Sequence, residues 1–400
     1  MTTSPVAAAA RDRLGVWCGW VLIAVCAATP LFAWLAPKGF AALVALGGLL
    51  TLPALRISDD DRPGLIVLFG VTIWAAVSTT WSPFHPSRIE TNTILKLAFQ
   101  LPLYGSLISG ARRADPDLRR RALAVLAWGL TAFAVILIVE TITGGALYQH
   151  LRDVAYAPMR QDIAESKLGH ATFVMTALAP LVVLGGPRRL RPWLALVMAI
   201  GAGSAALAFG SDAPLIALVL APVVALTAWR WPSATPRLMA GASAAVWLGA
   251  PAVVWAVRHF MDYEAIQRAI PRSYAMRMGY WSHAIDWIAL HPVRGWGLDA
   301  SRMFSPGIAL HPHNGSLQVW LELGGVGAVA AAAFWAVTLL RLSRPKGDPV
   351  AAATLACAAV YLVFGFINFG IWQDWWVALG ALIAVLAGLH QPSTARPISE

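Results

Sequence analysis

The sequence predicts an all-α polytopic membrane protein of about 12 transmembrane helices, with a large outer loop carrying short interfacial helices. Three observations predict it: an apolar composition with few charges, a series of runs each long enough to cross a bilayer, and cations gathered on alternate connections. Of 400 residues, 58% are hydrophobic and 12% charged, where a water-soluble domain carries about a quarter charged residues. So few charges cannot clothe that much apolar surface. An ordinary soluble enzyme, a disordered chain and a nucleic-acid-binding module are therefore excluded. The 19 Trp suit membrane interfaces, where the ring is apolar and its N–H stays wet. Cys18, Cys26 and Cys357 lie in apolar runs and read as core residues.

A spanning helix needs about 20 mainly apolar residues. Runs near 15–36, 39–55, 63–80, 93–110, 122–143, 168–186, 192–210, 213–229, 238–257, 314–340, 350–368 and 372–389 meet that need. Residues 1–400 thus read as a single membrane domain, its first run too long for a cleaved signal peptide. Cytoplasmic segments of membrane proteins are enriched in Lys and Arg. With both termini inside, the inner segments hold Arg11 and Arg13, Arg56 and Arg62, Arg112, Arg113, Arg119, Arg120 and Arg121, Arg188, Arg189 and Arg191, Arg230 and Arg237, Arg341, Arg344 and Lys346, and Arg396. Asp59, Asp60 and Asp61 fall on that side and read as a solvated charge run. The short outer loops hold little beyond Lys38 and Arg88, and Lys96 opens a span. The segments 144–167 and 258–312, by contrast, carry Arg152, Arg160, Lys167, Arg258, Arg268, Arg272, Arg277, Arg294 and Arg302. The net charge of +10 thus divides between topology and an outer basic region that suits an anionic partner.

The outer loop 258–312 is too polar to span and too rich in Trp and Tyr for a floppy linker. Its stretch 274–290 predicts a short helix lying along the membrane surface, with Trp281, Ala284, Ile285 and Ile288 on one face and His291-Pro292 as the stop. Arg277, four residues before Trp281, falls beside that face, near lipid headgroups. Arg294-Gly295-Trp296-Gly297 reads as a tight turn.

His311-Pro312-His313-Asn314 follows, directly before an apolar run. Asn314 is the expected helix N-cap, which puts His313 at the positive end of the helix dipole. That field favours a neutral imidazole able to accept a proton and also attracts phosphate oxygens. Eleven residues separate His313 from Gly324, about three turns on a continuous helix. Gly324, Gly325 and Gly327 would then thin the same face, as a groove for a lipid chain or for a tightly packed neighbour.

His313-Asn314, nine residues, then Gly324-Gly325-Val326-Gly327 resembles the signature of bacterial O-antigen ligases, in the superfamily shared with O-antigen polymerases. Trp74 to Ser82 (WAAVSTTWS), Arg160 with Gly169-His170, and Arg277 with Trp281, His291-Pro292 and Gly295-Trp296-Gly297 resemble further segments of that family, in the same order. Together they cover about residues 70–330. Where the family often shows Ser-Arg-Gly, this chain has Gly210-Ser211-Asp212-Ala213.

The resemblance implies a fold like that of C-type glycosyltransferases and transfer of polysaccharide from undecaprenyl diphosphate to lipid A–core oligosaccharide. It places the reaction on the periplasmic face of the inner membrane, among membrane lipids. It further implies His313 as general base, with Arg160, Arg272 and Arg277 on the diphosphate in place of the missing arginine. Asn314, His311, His170 and Asp374 are secondary candidates. No cofactor is implied, and no cluster in the outer loops has metal-ligand spacing. Two alternatives stay open: a polymerase using the same donor, and a transporter or flippase. The second sits poorly with spans that hold almost no ionisable residue at mid-depth.

Overall fold

A computed structural model of the chain describes residues 5–155, 157–343 and 347–391, with side chains from Arg13 onward. Of the expected inner cations, Arg344, Lys346 and Arg396 lie outside the described residues, as does the Arg11 side chain. In chain order the helices are α1 Pro5–Leu35, α2 Phe40–Leu50, α3 Arg62–Ser78, α4 Thr93–Arg113, α5 Pro116–Thr143, α6 Ala146–Ala155, α7 Gln161–Gly185 and α8 Arg191–Ala208. They continue with α9 Asp212–Arg230, α10 Ala234–Phe260, α11 Tyr263–Ala269, α12 Arg272–Leu290, α13 Gly315–Leu340, α14 Pro349–Ile367 and α15 Asp374–His390.

The protein is an all-α polytopic membrane protein. Among the described residues, nine helices are long and apolar enough to cross a membrane, not the expected twelve. The runs at 39–55, 63–80 and 372–389 form the shorter apolar helices Pro37–Leu50, Arg62–Ser78 and Asp374–His390. Arg62–Ser78 has 17 residues, a rise of about 26 Å, at the lower limit of what crosses the hydrocarbon core.

One buried core joins α1, α2, α4, α5, α7, α8 and α15, and a second joins α9, α10, α13 and α14. Cys18, Cys26 and Cys357 are free and buried. Helix α12 buries Met278, Ala284, Ile285 and Ile288 and packs against both α10 and α13. At one end of α4, Arg112 and Arg341 both pair with Asp61, Arg341 at 3.4 Å. Asp61 is therefore a bridge between α4 and α13 rather than part of a solvated run. Asp59 and Asp60 are exposed.

Helix α13 is not continuous. Gly324 has φ 66° and ψ −164°, a conformation essentially reserved for glycine, and it splits the helix into 315–323 and 325–340. The break strands backbone groups that a regular helix would pair internally. The turn after α12 takes them up. Trp296 N–H donates to Leu321 O (2.9 Å) and Gly297 N–H to Glu322 O (2.7 Å). In return Gly325 N–H donates to Pro292 O (2.8 Å) and Val326 N–H to Val293 O (3.3 Å). The Leu323 carbonyl accepts the Trp74 indole N–H at 3.0 Å.

The expectation of three glycines on the His313 face of one helix is thus corrected. His313 itself lies outside the helix, at φ 53°, and the space at Gly324 is filled by the backbone of Val293 to Gly295. A Cβ there would stand 2.5 Å from Gly295 N. Of the two uses expected for the glycines, the tightly packed neighbour is the one present at Gly324.

Gly324→Ala therefore adds a methyl where neither the dihedrals nor the space allow it, and is expected to lower stability by at least about 2–3 kcal/mol. Gly241→Ala in α10 meets open space and is expected to be neutral or slightly stabilising. Thermal unfolding of the two purified variants in detergent checks the contrast.

Candidate active site

Asn314 caps α13 as expected, its side-chain oxygen accepting from Leu317 N–H at 3.0 Å. The approach to the cap is pinned by the Trp281 indole, which donates to Pro312 O at 2.8 Å. His313 then takes a left-handed backbone conformation, uncommon for a non-glycine residue. Its ring turns to the connection between α14 and α15, where Nδ1 lies 2.8 Å from the Asn368 carbonyl. A carbonyl only accepts, so Nδ1 carries the proton and the lone pair of the neutral ring sits on Nε2. The Tyr280 ring stacks near the imidazole, 6.2 Å between centroids.

Burial lowers the His313 pKa from its ordinary value, and the Arg277 cation adds to the effect against the opposing pull of the Asn368 bond. Arg277 is half-buried on α12, its guanidinium 5.3 Å from the centre of the Tyr274 ring. The Asp212 carboxylate, at the start of α9, faces both Tyr274 and Arg277.

His311 is 4.3 Å from His313, ring to ring. Its Nδ1 accepts the backbone N–H of His313 at 3.1 Å, and Nε2 lies 3.0 Å from the Gln373 amide. Burial, with His313, Arg302 and Arg277 nearby, pushes its pKa down to about 3. It is a neutral positioning ring. A cleft of about 460 Å³ opens on His311 and is bordered by His170, Lys38, Lys96, Lys167, Arg302 and Asp374.

Glu322 is fully buried one turn beyond Gln318 and ties these pieces together. It accepts from Ser301 Oγ (2.6 Å), Gln318 Nε2 (3.1 Å), Asp299 N–H (3.1 Å) and the Trp372 indole (2.6 Å). Gln318 Oε1 in turn accepts Ile371 N–H at 3.1 Å. The connection that orients His313 is thereby held to the half-helix that His313 precedes.

Of the residues expected from sequence, His313, His311, Asn314 and Arg277 come together here, while His170 and Asp374 reach the adjoining cleft. His170 is held by a 2.6 Å hydrogen bond to Ser166 O, and Asp374 pairs with Lys96 at 3.0 Å. Arg160 does not join them: its side chain is 78% exposed and pairs with Asp162. Arg272 is exposed at the first position of α12. Sequence reasoning missed Glu322, the Asn368 carbonyl and the convergence of the lysines. Glu322 is an ionisable residue inside an apolar run, the one signal that could have found it. It also amends the expectation that mid-span is nearly free of charge.

Residues 197–332 match the family model described as O-Antigen ligase. The matched segment is about a third of the chain. Over 131 residues it is 30% identical to a protein named "Putative polysaccharide ligase" from Rickettsia felis, covering 29% of this chain and 32% of the relative. Similarly named proteins of Rickettsia conorii and Rickettsia prowazekii match with the same identity and coverage. The match thus spans about a third of the length of these relatives. No solved structure matches the chain. The segment matched by the family model contains α12, the docking turn, both histidines and the break in α13. Asn368, Trp74 and the three cleft lysines lie outside it.

Because the folded pKa of His313 is lowered, its neutral imidazole persists below the pH 6.5 typical of the free ring, and the acid limb of a rate profile that depends on this ring is expected below that value. Arg277→Gln should move the limb of its residual activity upward. The linkage sign is the same for stability: the unfolded ring binds protons more readily, so acidification through 6.5 should destabilise the fold. Rate–pH profiles of both proteins, with thermal unfolding at each pH, check this.

Proposed function

We propose that the protein is an inverting O-antigen ligase. In this reading it transfers polysaccharide from undecaprenyl diphosphate to lipid A–core oligosaccharide at the periplasmic face of the bacterial inner membrane. The observation that carries the proposal is the orientation of His313: Nδ1–H is committed to the Asn368 carbonyl, which presents an unprotonated Nε2 near the Arg277 guanidinium. An acyclic collection of charges would serve binding alone; a neutral base beside a fixed cation serves glycosyl transfer.

In this reaction Nε2 of His313 removes the proton of the acceptor hydroxyl. The oxygen attacks the anomeric carbon from the face opposite the leaving group, so a C–O bond forms as the bond to the diphosphate oxygen breaks and the centre inverts. The departing diphosphate takes the electron pair, and Arg277 offers its fork of N–H donors to that developing charge. Arg272, exposed on the same helix, adds to the cationic approach, whereas Arg160 stays paired with Asp162. A guanidinium rather than a metal ion carries the leaving group's charge in this scheme.

We further propose twelve passes with both termini cytoplasmic. Lys96 and Arg112 support this, for they lie at the two ends of α4, about 24 Å apart by helical rise. The first stands with the histidine cleft and the second with Asp61.

His313→Ala is expected to lower transfer by about 10²–10⁴-fold at unchanged protein abundance, in a reconstituted assay with lipid-linked glycan and lipid A–core. Robust transfer by that variant would remove the base. Arg277→Lys keeps the charge but loses the fork, and about a 10- to 100-fold loss is expected. Excess chelator should leave the purified reaction unchanged; a loss restored by an added divalent cation overturns the metal-independent scheme. Extension of a second lipid-linked glycan, in place of lipid A–core, would make the protein a polymerase.

A further inference from the structure

Four cations border the cleft beside His311: Lys38, Lys96, Lys167 and Arg302. They come from four separate parts of the chain, and all stand in or next to segments assigned to the outer side. Two of them are neutralised in place. Lys96 pairs with Asp374 at 3.0 Å and Arg302 with Asp299 at 3.0 Å. Among the described residues, no ion pair involves Lys38 or Lys167, and the two stand close enough to repel each other. With His170 and His311 uncharged, the cleft holds an excess of two positive charges.

We propose that this cleft recognises a phosphate monoester carried by the acceptor saccharide. A phosphate monoester has a charge of about −1.5 to −2 near pH 7, which matches the unpaired lysines, and lysine binds phosphate as a point charge without needing a planar partner. The volume of about 460 Å³ falls in the range of small-ligand sites. Trp372, half-buried, borders the same cleft and supplies an aromatic side chain against which a sugar can lie. A bare anion would need none of that room.

The assignment to acceptor rather than donor rests on the proposed function, in which Arg277 holds the diphosphate. Arg277 and Tyr280 stand at His313, whereas the cleft opens on His311 and neither residue borders it. An inverting displacement brings acceptor and leaving group to opposite faces of one carbon. Two separate anion sites at the histidine pair, one at Arg277 and one in the cleft, are compatible with that requirement.

The test measures binding to the purified full chain in detergent, using glucose 6-phosphate, glucose, inorganic phosphate and farnesyl diphosphate as probes, with tryptophan fluorescence as readout. Glucose 6-phosphate is expected to bind at least about tenfold more tightly than glucose or inorganic phosphate. Lys38→Gln with Lys167→Gln should abolish that margin and leave farnesyl diphosphate binding unchanged. Lys38→Arg with Lys167→Arg, which keeps both charges, should retain the margin and so separates recognition from misfolding. Equal binding of glucose and glucose 6-phosphate overturns the proposal, as does inorganic phosphate binding as tightly as the phosphosugar. So does a loss of farnesyl diphosphate affinity in the lysine variants, which would make the cleft the donor site. Arg277→Lys without effect on farnesyl diphosphate overturns the donor assignment alone and leaves the lysine result to be judged by itself.

Discussion

The interaction on which the rest depends is the docking of Pro292–Gly297 into the break of α13. A helix interrupted within a membrane exposes N–H and C=O groups that lipid cannot satisfy, at a cost of several kcal/mol for each. Gly324 creates that demand and the turn after α12 meets it group by group. Gly297 lies so close to α3 that a Cβ would stand 2.5 Å from Ser78 O. Ser82 Oγ donates to the adjacent Leu298 carbonyl at 2.7 Å, and Ser78 Oγ accepts Leu298 N–H at 3.0 Å. The tryptophan–serine segment, the glycine-rich turn and the glycines after His313 are thus three strands of one joint. None of them is adjacent to the reacting atoms assigned here.

What the joint achieves is rigidity one turn and more away. The half-helix 315–323 is capped by Asn314 at one end and anchored by the docked turn at the other. Between them Gln318 and Glu322 hold Ile371 and Trp372, so the α14–α15 connection cannot shift without breaking buried polar bonds, each of which would leave an unsatisfied group. That connection presents the Asn368 carbonyl to His313. A left-handed histidine stores about 1–3 kcal/mol of strain and persists only where its surroundings over-determine it. The Trp281 bond to Pro312 O, the N–H of His313 on His311, and the Asn368 carbonyl together do so.

Much of the fold was legible because membrane insertion writes itself into composition and run length, and cations mark the loops. The helix count was less so, because a 17-residue apolar helix and one of about 20 residues differ by less than a turn, which composition does not resolve. Within the site, the N-cap role of Asn314 and the helix bearing Arg277 follow from local patterns. The break at Gly324 does not: glycine in an apolar run reads equally as a packing groove, and only its dihedrals distinguish the two. Asn368 acts through its carbonyl, so its side chain carries no sign of the role. Lys38, Lys96 and Lys167 are lone charges at separate span ends, each ordinary alone, and their meaning comes only from the cleft that unites them.

Asp212 shows how one departure from a family pattern can reshape a site without emptying it. Its carboxylate faces the guanidinium of Arg277, so an anion approaching that fork must compete with a fixed negative charge. A phospholipid headgroup joined as a phosphodiester brings one negative charge from its phosphate. A glycan-bearing prenyl diphosphate brings two, and the attraction to a cation scales with that charge. Under the proposed reaction the carboxylate weakens the pull of the site on both anions, and weakens it twice as much for the diphosphate as for the phosphodiester. The guanidinium carbon stands 5.3 Å from the centre of the Tyr274 ring, a contact that displacement of the carboxylate does not require to break. An arginine in place of Asp212 would add more attraction for the dianionic donor than for the monoanionic lipid. The carboxylate therefore gives up both attraction and discrimination, and the preference for the donor rests on the charge of Arg277 and on contacts to the glycan.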